Sequence, residues 1–257
     1  MATVTFGAFA DPHYADRNPR IGRWYRDACN RIAAAQAVFA AEETDFNVCL
    51  GDLIDLCEDE RDLTSALAEV TALFASAGRP TYCVAGNHDL AALPRQTLAK
   101  ELGWPGGKSY YSFVVKGIRF IVLDTNYTGD SETLPPWDKT WVNGAQLRWL
   151  AAELSQPEQA VILTHANLDP RKHGDSFDSH IVLNAAAVRQ ILEDSGKVRL
   201  VVQGHCHNGA KSVVNGITYV TLPAMVMGES SNSAMLFSLG DDGSFAYRQL
   251  FSPANQA

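Results

Sequence analysis

The sequence predicts an α/β fold in which a mixed system of strands carries its helices on the outside. Three observations predict it. Strand-like and helix-like segments alternate through the first half, the mark of parallel strands joined by helices. Later pairs of strand-like runs meet at Lys116-Gly117, Asn215-Gly216 and Asp242-Gly243, the turn chemistry of antiparallel hairpins. The 257 residues are 46% apolar, enough for one large core that needs no staples.

The elements follow in order. "TVTFGAFA" (3–10) is a short apolar run suited to a buried strand. "RWYRDACNRIAAAQAVFAAEE" (23–43) is alanine-rich and amphipathic and predicts a helix. "DFNVCL" (45–50) reads as a strand, residues 60–76 as a helix stopped by Gly78 and Pro80, and "TYCVA" (81–85) as a third strand. The 109–124 segment predicts a hairpin, 144–154 a helix, 160–165 a strand, 183–194 a helix and 198–205 a strand. Two further hairpins complete the chain, over 212–222 and 234–250. With no linker-like tract or repeat, residues 1–257 read as a single domain. Two long stretches, 125–142 and 166–182, lack a clear pattern. Loops of that length in a compact domain usually serve function, and both are expected to cap a substrate.

Composition narrows the function. The net charge of −8, with no basic stripe, argues against a nucleic-acid partner. No apolar run approaches the ~20 residues of a membrane helix. The opening "MATVTFGAFADPHYAD" reaches an aspartate by position 11 and reads as a strand rather than a signal peptide. The five cysteines are scattered without a CxxC, as reduced thiols of a cytoplasmic protein would be.

Metal-ligand chemistry collects where strands end. The first strand delivers Asp11 and His13, and the second delivers Asp52 and Asp55. The third delivers Asn87, His88 and Asp89. Later strands deliver His165, then His205 and His207. Taken singly, each motif is as well explained by a turn, a helix cap or a hydrogen-bonded histidine. Together they place five of the seven histidines after apolar runs. The carboxyl ends of parallel strands share one edge, so these residues should converge. Carboxylate oxygen and imidazole nitrogen suit two divalent ions such as Mn, Fe, Co, Ni or Zn. Cys206, between two histidines, should point away from them if the strand persists that far.

The ordered motifs DPH (11–13), GDLID (51–55), GNHD (86–89), His165 and GHCH (204–207) resemble those of the calcineurin-like metallophosphoesterase superfamily. That resemblance implies a four-layer αββα sandwich of two mixed β-sheets flanked by helices. It implies that Asp11, His13 and His207 hold one metal, that Asn87, His165 and His205 hold the other, and that Asp52 bridges them. It places His88 over the phosphate as a catalytic group, with Asp89 orienting it. Asp55 stands either behind the ligands or as a helix cap. The lone-histidine motif departs from the common His-x-Pro, reading His165-Ala166-Asn167.

The implied reaction is attack by a metal-activated hydroxide on phosphorus, with two divalent ions, manganese or iron ahead of zinc or cobalt. The stretch "DPHYADRNPRIGRWYRDAC" (11–29), with "LDTN" (123–126) and "NGAQLRWL" (143–150), is similar to the manganese-dependent ADP-ribose/CDP-alcohol diphosphatase group. This points to a phosphodiester or pyrophosphate bond in a small nucleotide-containing substrate. A phosphomonoesterase or cyclic-nucleotide phosphodiesterase is the alternative, and a non-catalytic scaffold of the same fold is a third. Tyr14, Arg17, Arg20 and Asn126 are candidate substrate contacts, the two arginines for a second phosphate. Trp137 and Trp141 either anchor their loop or stack on a base. His173 and His180 read as exposed, with contact to substrate as the lesser alternative.

Overall fold

Strands covered on both faces set the architecture. A computed structural model describes residues 3–57, 63–173, 176–228 and 232–251. One sheet contains β1 (Thr3–Phe9), β2 (Phe46–Cys49), β3 (Thr81–Cys83), β12 (Met235–Gly240) and β13 (Phe245–Gln249), in the order β13-β12-β1-β2-β3. The other contains β4 (Tyr111–Val115), β5 (Ile118–Leu123), β6 (Gln159–Thr164), β9 (Val198–Gln203), β10 (Asn208–Val214) and β11 (Ile217–Pro223), in the order β10-β11-β9-β6-β5-β4. Both are mixed: β1-β2-β3 and β5-β6-β9-β11 run parallel, while the hairpin partners run antiparallel. A two-residue ladder, β7 (Lys172–His173) with β8 (Ser176–Phe177), stands apart.

Side-chain alternation explains the layers. Phe120 and Val122 of β5, Val161 and Leu163 of β6, and Leu200 and Val202 of β9 share a core with Phe6, Phe46 and Phe237 of the first sheet. The rings of Phe6 and Phe46 lie 5.6 and 4.7 Å from that of Phe120. The alternate residues Ile121, Leu123, Ile162 and Val201 face the other way. They pack with Leu150 of α5 (Gly144–Glu153) and with Val188 and Leu192 of α6 (Ala185–Ser195). On the first sheet α1 (Ala28–Ala41) lies over β1 at Gly7, where a Cβ would stand 2.4 Å from the ring of Phe39. The result is two mixed sheets face to face with helices outside, as the resemblance implies.

Element limits differ from the sequence reading in three places. The helix expected from residue 23 starts at Ala28, after a 3₁₀ turn at Tyr25–Asp27, because the backbone N–H of Trp24 is tied to Val226 O, 2.8 Å away. The 60–76 helix is observed as α2 (Leu63–Ala72) and a 3₁₀ turn (Leu73–Ala77) ending at left-handed Gly78; residues 58–62 lie outside the described residues. After the third strand stand two short helices the periodicity did not reveal, α3 (Asn87–Ala92) and α4 (Arg95–Glu101). No helix among the described residues is long and apolar enough to cross a membrane.

Candidate metal centre

Asp11, Asp52, Asn87, His165 and His205 follow the carboxyl ends of β1, β2, β3, β6 and β9, and backbone geometry lets the five loops meet. A Cβ on Gly86 would lie 2.0 Å from Asp52 N. One on Gly51 would lie 2.8 Å from both Gly86 and the His165 ring, and one on Gly204 2.9 Å from an Asp11 oxygen. The glycine in each motif is therefore a close-approach residue. Asp11, His13, Asp52 and His205 have positive φ, at 54°, 47°, 53° and 68°. That region costs L-residues about 1–3 kcal/mol each and collects at functional sites. Here it turns each side chain inward.

The inward side chains form clusters. Asp11, His13 and His207 are one, and Asp52, His165 and His205 are another, each with ligand-type atoms within 4.8 Å of one another. Asp52 lies between the two, its Oδ2 3.5 Å from His13 Nε2 and 3.3 Å from His165 Nε2. Asn87 Oδ1 is 3.0 Å from His165 Nε2. Asp11 is held by the His205 backbone N–H at 3.0 Å, and the His88 backbone N–H donates to Asp52 Oδ1 at 2.8 Å. Asp11, His13 and His165 are fully buried.

The donor set fits cations better than it fits itself. His13 Nε2 and His207 Nε2 face each other at 3.2 Å. His205 Nε2 is buried with no hydrogen-bond partner. Nδ1 of His165 donates to the Leu50 carbonyl at 2.8 Å, which leaves Nε2 aimed at Asp52 and Asn87 oxygens. Burial would lower the His165 pKa, but Asp52 and Asp11 raise it to about 10. Burial raises Asp11 to about 7 against the pull of His165. Burial would also raise Asp52, but His165, His88 and His13 hold it well below the usual range. Burial and the charge of His165 keep His205 well below its ordinary value. Burial, with the charges of His13 and Arg23, lowers His207 to about 2. Metal ligands must be deprotonated, so a cation bound here would compete with protons for these same side chains.

His88 requires a correction. Its Nδ1 is 3.1 Å from Asp55 Oδ1, not beside Asp89. The other oxygen of Asp55 lies 3.4 Å from His13 Nδ1. Asp89 is fully buried and faces backbone, accepting from Ile54 N and Gly86 N, each at 3.1 Å. The cause is the helix start at Asn87. It puts Asp89 in the first turn, where an acidic side chain folds back to the residue before the helix. Asp89 thus ties the GNHD loop to the GDLID loop. Burial would lower the His88 pKa, but the Asp55 hydrogen bond and the charges of Asp52 and Asp55 raise it above its ordinary value.

A cavity of about 400 Å³ opens over the clusters, lined by Arg23, Asp52, Asn87, His88, Trp137, His180, His205, Cys206, His207 and Asn208. None of the four expected substrate contacts is in that lining. Tyr14 donates its hydroxyl to Glu69 at 2.5 Å. Arg17 lies over the Tyr25 ring at 4.7 Å and bonds the Leu56 carbonyl. Arg20 is exposed, with its backbone paired to Arg23. Asn126 is fully buried and donates to Ala85 O and to Asp124. Among the described residues, the arginine that lines the cavity is Arg23, whose guanidinium is 3.9 Å from Asp55. His180, expected to be exposed, is partly buried and packs against Trp137; the side chain of His173 lies outside the described residues. Cys206 follows the last strand residue, Gln203, so strand alternation does not apply and the thiol lines the cavity. Only the even spacing of Arg17, Arg20, Arg23 and Arg26 hinted at Arg23, and it could not choose among them.

This fold and this edge of clustered acids, amide and imidazoles are those of a known class. The sequence profile of the calcineurin-like phosphoesterase family matches residues 4–209, and the chain belongs to that family. Serine/threonine-protein phosphatase CPPED1 of Rattus norvegicus is 32% identical over 212 residues, which cover 77% of this chain and 61% of that protein. The manganese-dependent ADP-ribose/CDP-alcohol diphosphatase of Oryza sativa subsp. japonica is 28% identical over 269 residues, covering 86% of this chain and 83% of that protein. A dimetal phosphatase from Danio rerio superposes with a TM-score of 0.77 at 20% identity, over 96% of this chain and 98% of its own. The chain spans about three fifths of the length of the rat, mouse and human CPPED1 proteins.

Proposed function

We propose that the chain is a metal-dependent hydrolase of a phosphodiester or pyrophosphate bond in a small nucleotide-containing molecule, of the ADP-ribose or CDP-alcohol type. The observation that carries this reading is the position of Asp52 between two clusters, beneath a cavity that also presents His88 and Arg23. Asp11, His13 and His207 would hold one divalent ion, Asn87, His165 and His205 a second, and Asp52 would bridge them. Bound there, such ions supply Lewis acidity toward a phosphoryl oxygen and lower the pKa of water.

The chain's own residues do the rest. Asn87 contributes an uncharged oxygen, which limits repulsion of an anionic substrate. His88, hydrogen-bonded to Asp55, donates a hydrogen bond to the phosphoryl group and a proton to the leaving oxygen as its bond to phosphorus breaks. Arg23 offers a guanidinium to a second phosphate. A manganese-dependent diphosphatase among the relatives supports the choice of substrate.

A phosphomonoesterase is the second reading, favoured by the identity to a protein named a phosphatase. Hydrolysis of ADP-ribose, CDP-choline, bis-p-nitrophenyl phosphate and p-nitrophenyl phosphate, with Mn²⁺, Fe²⁺, Co²⁺ and Zn²⁺ in turn, separates the two. The proposal expects the first two substrates to be cleaved with the highest kcat/KM. Preference for p-nitrophenyl phosphate overturns the choice of bond, and a metal-loaded protein inert on all four overturns the enzyme itself.

A further inference from the structure

The cavity is chemically lopsided. Charge gathers beside His13: the His88 ring lies 4.5 Å from the His13 ring, and Asp55 ties both to Arg23. Rings gather beside His205. The indole of Trp137 lies 6.1 Å from the His205 ring and 5.2 Å from the His180 ring, and His180 in turn lies 5.1 Å from His205. His180 is fixed by Asp178, whose Oδ1 accepts from its backbone N–H at 2.9 Å and lies 2.5 Å from its Nδ1.

Trp137 is not buried as a loop anchor would be. It is 49% exposed, whereas Trp104 of the same chain is 4% exposed with its Nε1 bonded to Cys83 O. Its segment is tied by other groups. Lys139 N bonds Pro136 O, Leu183 N bonds Thr140 O, and Thr140 is buried. A large indole left open to water at the edge of a cavity leaves apolar surface for a ligand to cover.

We propose that Trp137, backed by His180, is the wall against which a flat aromatic ring of the substrate, of the nucleobase class, lies. The inference rests on the hydrolase reading above and adds the orientation of the substrate: its ring toward His205, its second phosphate toward Arg23. A base stacked on an aromatic side chain is sequence-tolerant, so the wall selects for a ring rather than for one base.

The test compares two ligands that share a phosphate and a ribose and differ by the base. Calorimetric titration of the Mn²⁺-loaded protein with AMP and with ribose 5-phosphate gives the affinity ratio due to the ring. The wild type should bind AMP roughly tenfold more tightly. Trp137→Phe should keep that preference. Trp137→Leu, which retains apolar bulk without a π face, should bring the ratio near one and leave ribose 5-phosphate binding unchanged. A ratio unaltered in Trp137→Leu, an equal loss of both ligands, or no preference in the wild type overturns the proposal. These are binding measurements, so failure of the hydrolase reading shows separately, as absent turnover of the four phosphoesters.

Discussion

One carboxylate serves two imidazoles: Asp55 places Oδ1 3.1 Å from Nδ1 of His88 and Oδ2 3.4 Å from Nδ1 of His13. A cluster residue, His13, and the cavity-lining His88 are thereby held by the same side chain. His88 keeps its proton to higher pH than a free imidazole because of this contact and the charge of Asp52.

Replacing Asp55 with Asn removes the charge that raises the His88 pKa. Protonated His88 then disappears at lower pH, so the alkaline limb of the pH–rate profile shifts toward acid. A loss of about 10- to 100-fold in kcat is expected, the usual effect of an outer partner of a metal-site histidine. Steady-state rates across pH, with metal content measured in parallel, check this. A profile merely scaled down, with its limb unmoved, would show that Asp55 does not hold the proton on His88.

Asp89→Ala should behave differently. It strands two buried backbone N–H groups, of Ile54 and Gly86, at a cost of roughly 2–4 kcal/mol in stability. Urea unfolding measures that loss. The alkaline limb of the rate profile should stay in place, because Asp89 accepts from backbone and the His88 ring is bonded to Asp55 instead.

Arg23→Gln should raise KM for a diphosphate substrate by about tenfold or more, since a charge-assisted contact to the second phosphate is lost. Bis-p-nitrophenyl phosphate, with a single phosphate, should respond little. Arg20→Gln, at an exposed position, should leave both substrates unaffected. Equal effects of Arg23→Gln on both substrates would remove Arg23 from recognition of the second phosphate.

Gly86→Ala places a methyl group 2.0 Å from Asp52 N. Two strand-end loops must then separate. Lower thermal stability and loss of bound manganese, measured by melting and elemental analysis, are the expected outcomes.

Asp52→Asn should lower metal content below that of the wild type, because one charged oxygen lies between His13 and His165. His88→Asn should keep the metal and lose about 10²–10⁴-fold in rate. Together the pair separates holding the ions from moving the proton.

Much of the centre was legible in the linear chain because parallel strands end at one edge. Asp11, Asp52, Asn87, His165 and His205 each follow an apolar run, and the sheets bring them together whatever their separation in sequence. The partner of His88 was not legible. Asp55 and Asp89 both sit in motifs beside it, and their distance along the chain favours Asp89. The helix starting at Asn87 reverses that order by turning Asp89 back onto backbone. The arginines show the same limit. Four at even spacing look equivalent, and the turn at Ile21-Gly22 with the pairing of Arg23 to Met227 sends one of them to the cavity.

Periodicity and turn chemistry, which are local, determined the strands, the main helices and the hairpins, and the motifs at the strand ends offered the candidate ligands. Tertiary structure alone decided which carboxylate meets His88, which arginine reaches the cavity, and that Trp137 and His180 line it. Those outcomes depend on where separate segments come to rest against one another, and no short window of sequence encodes that placement.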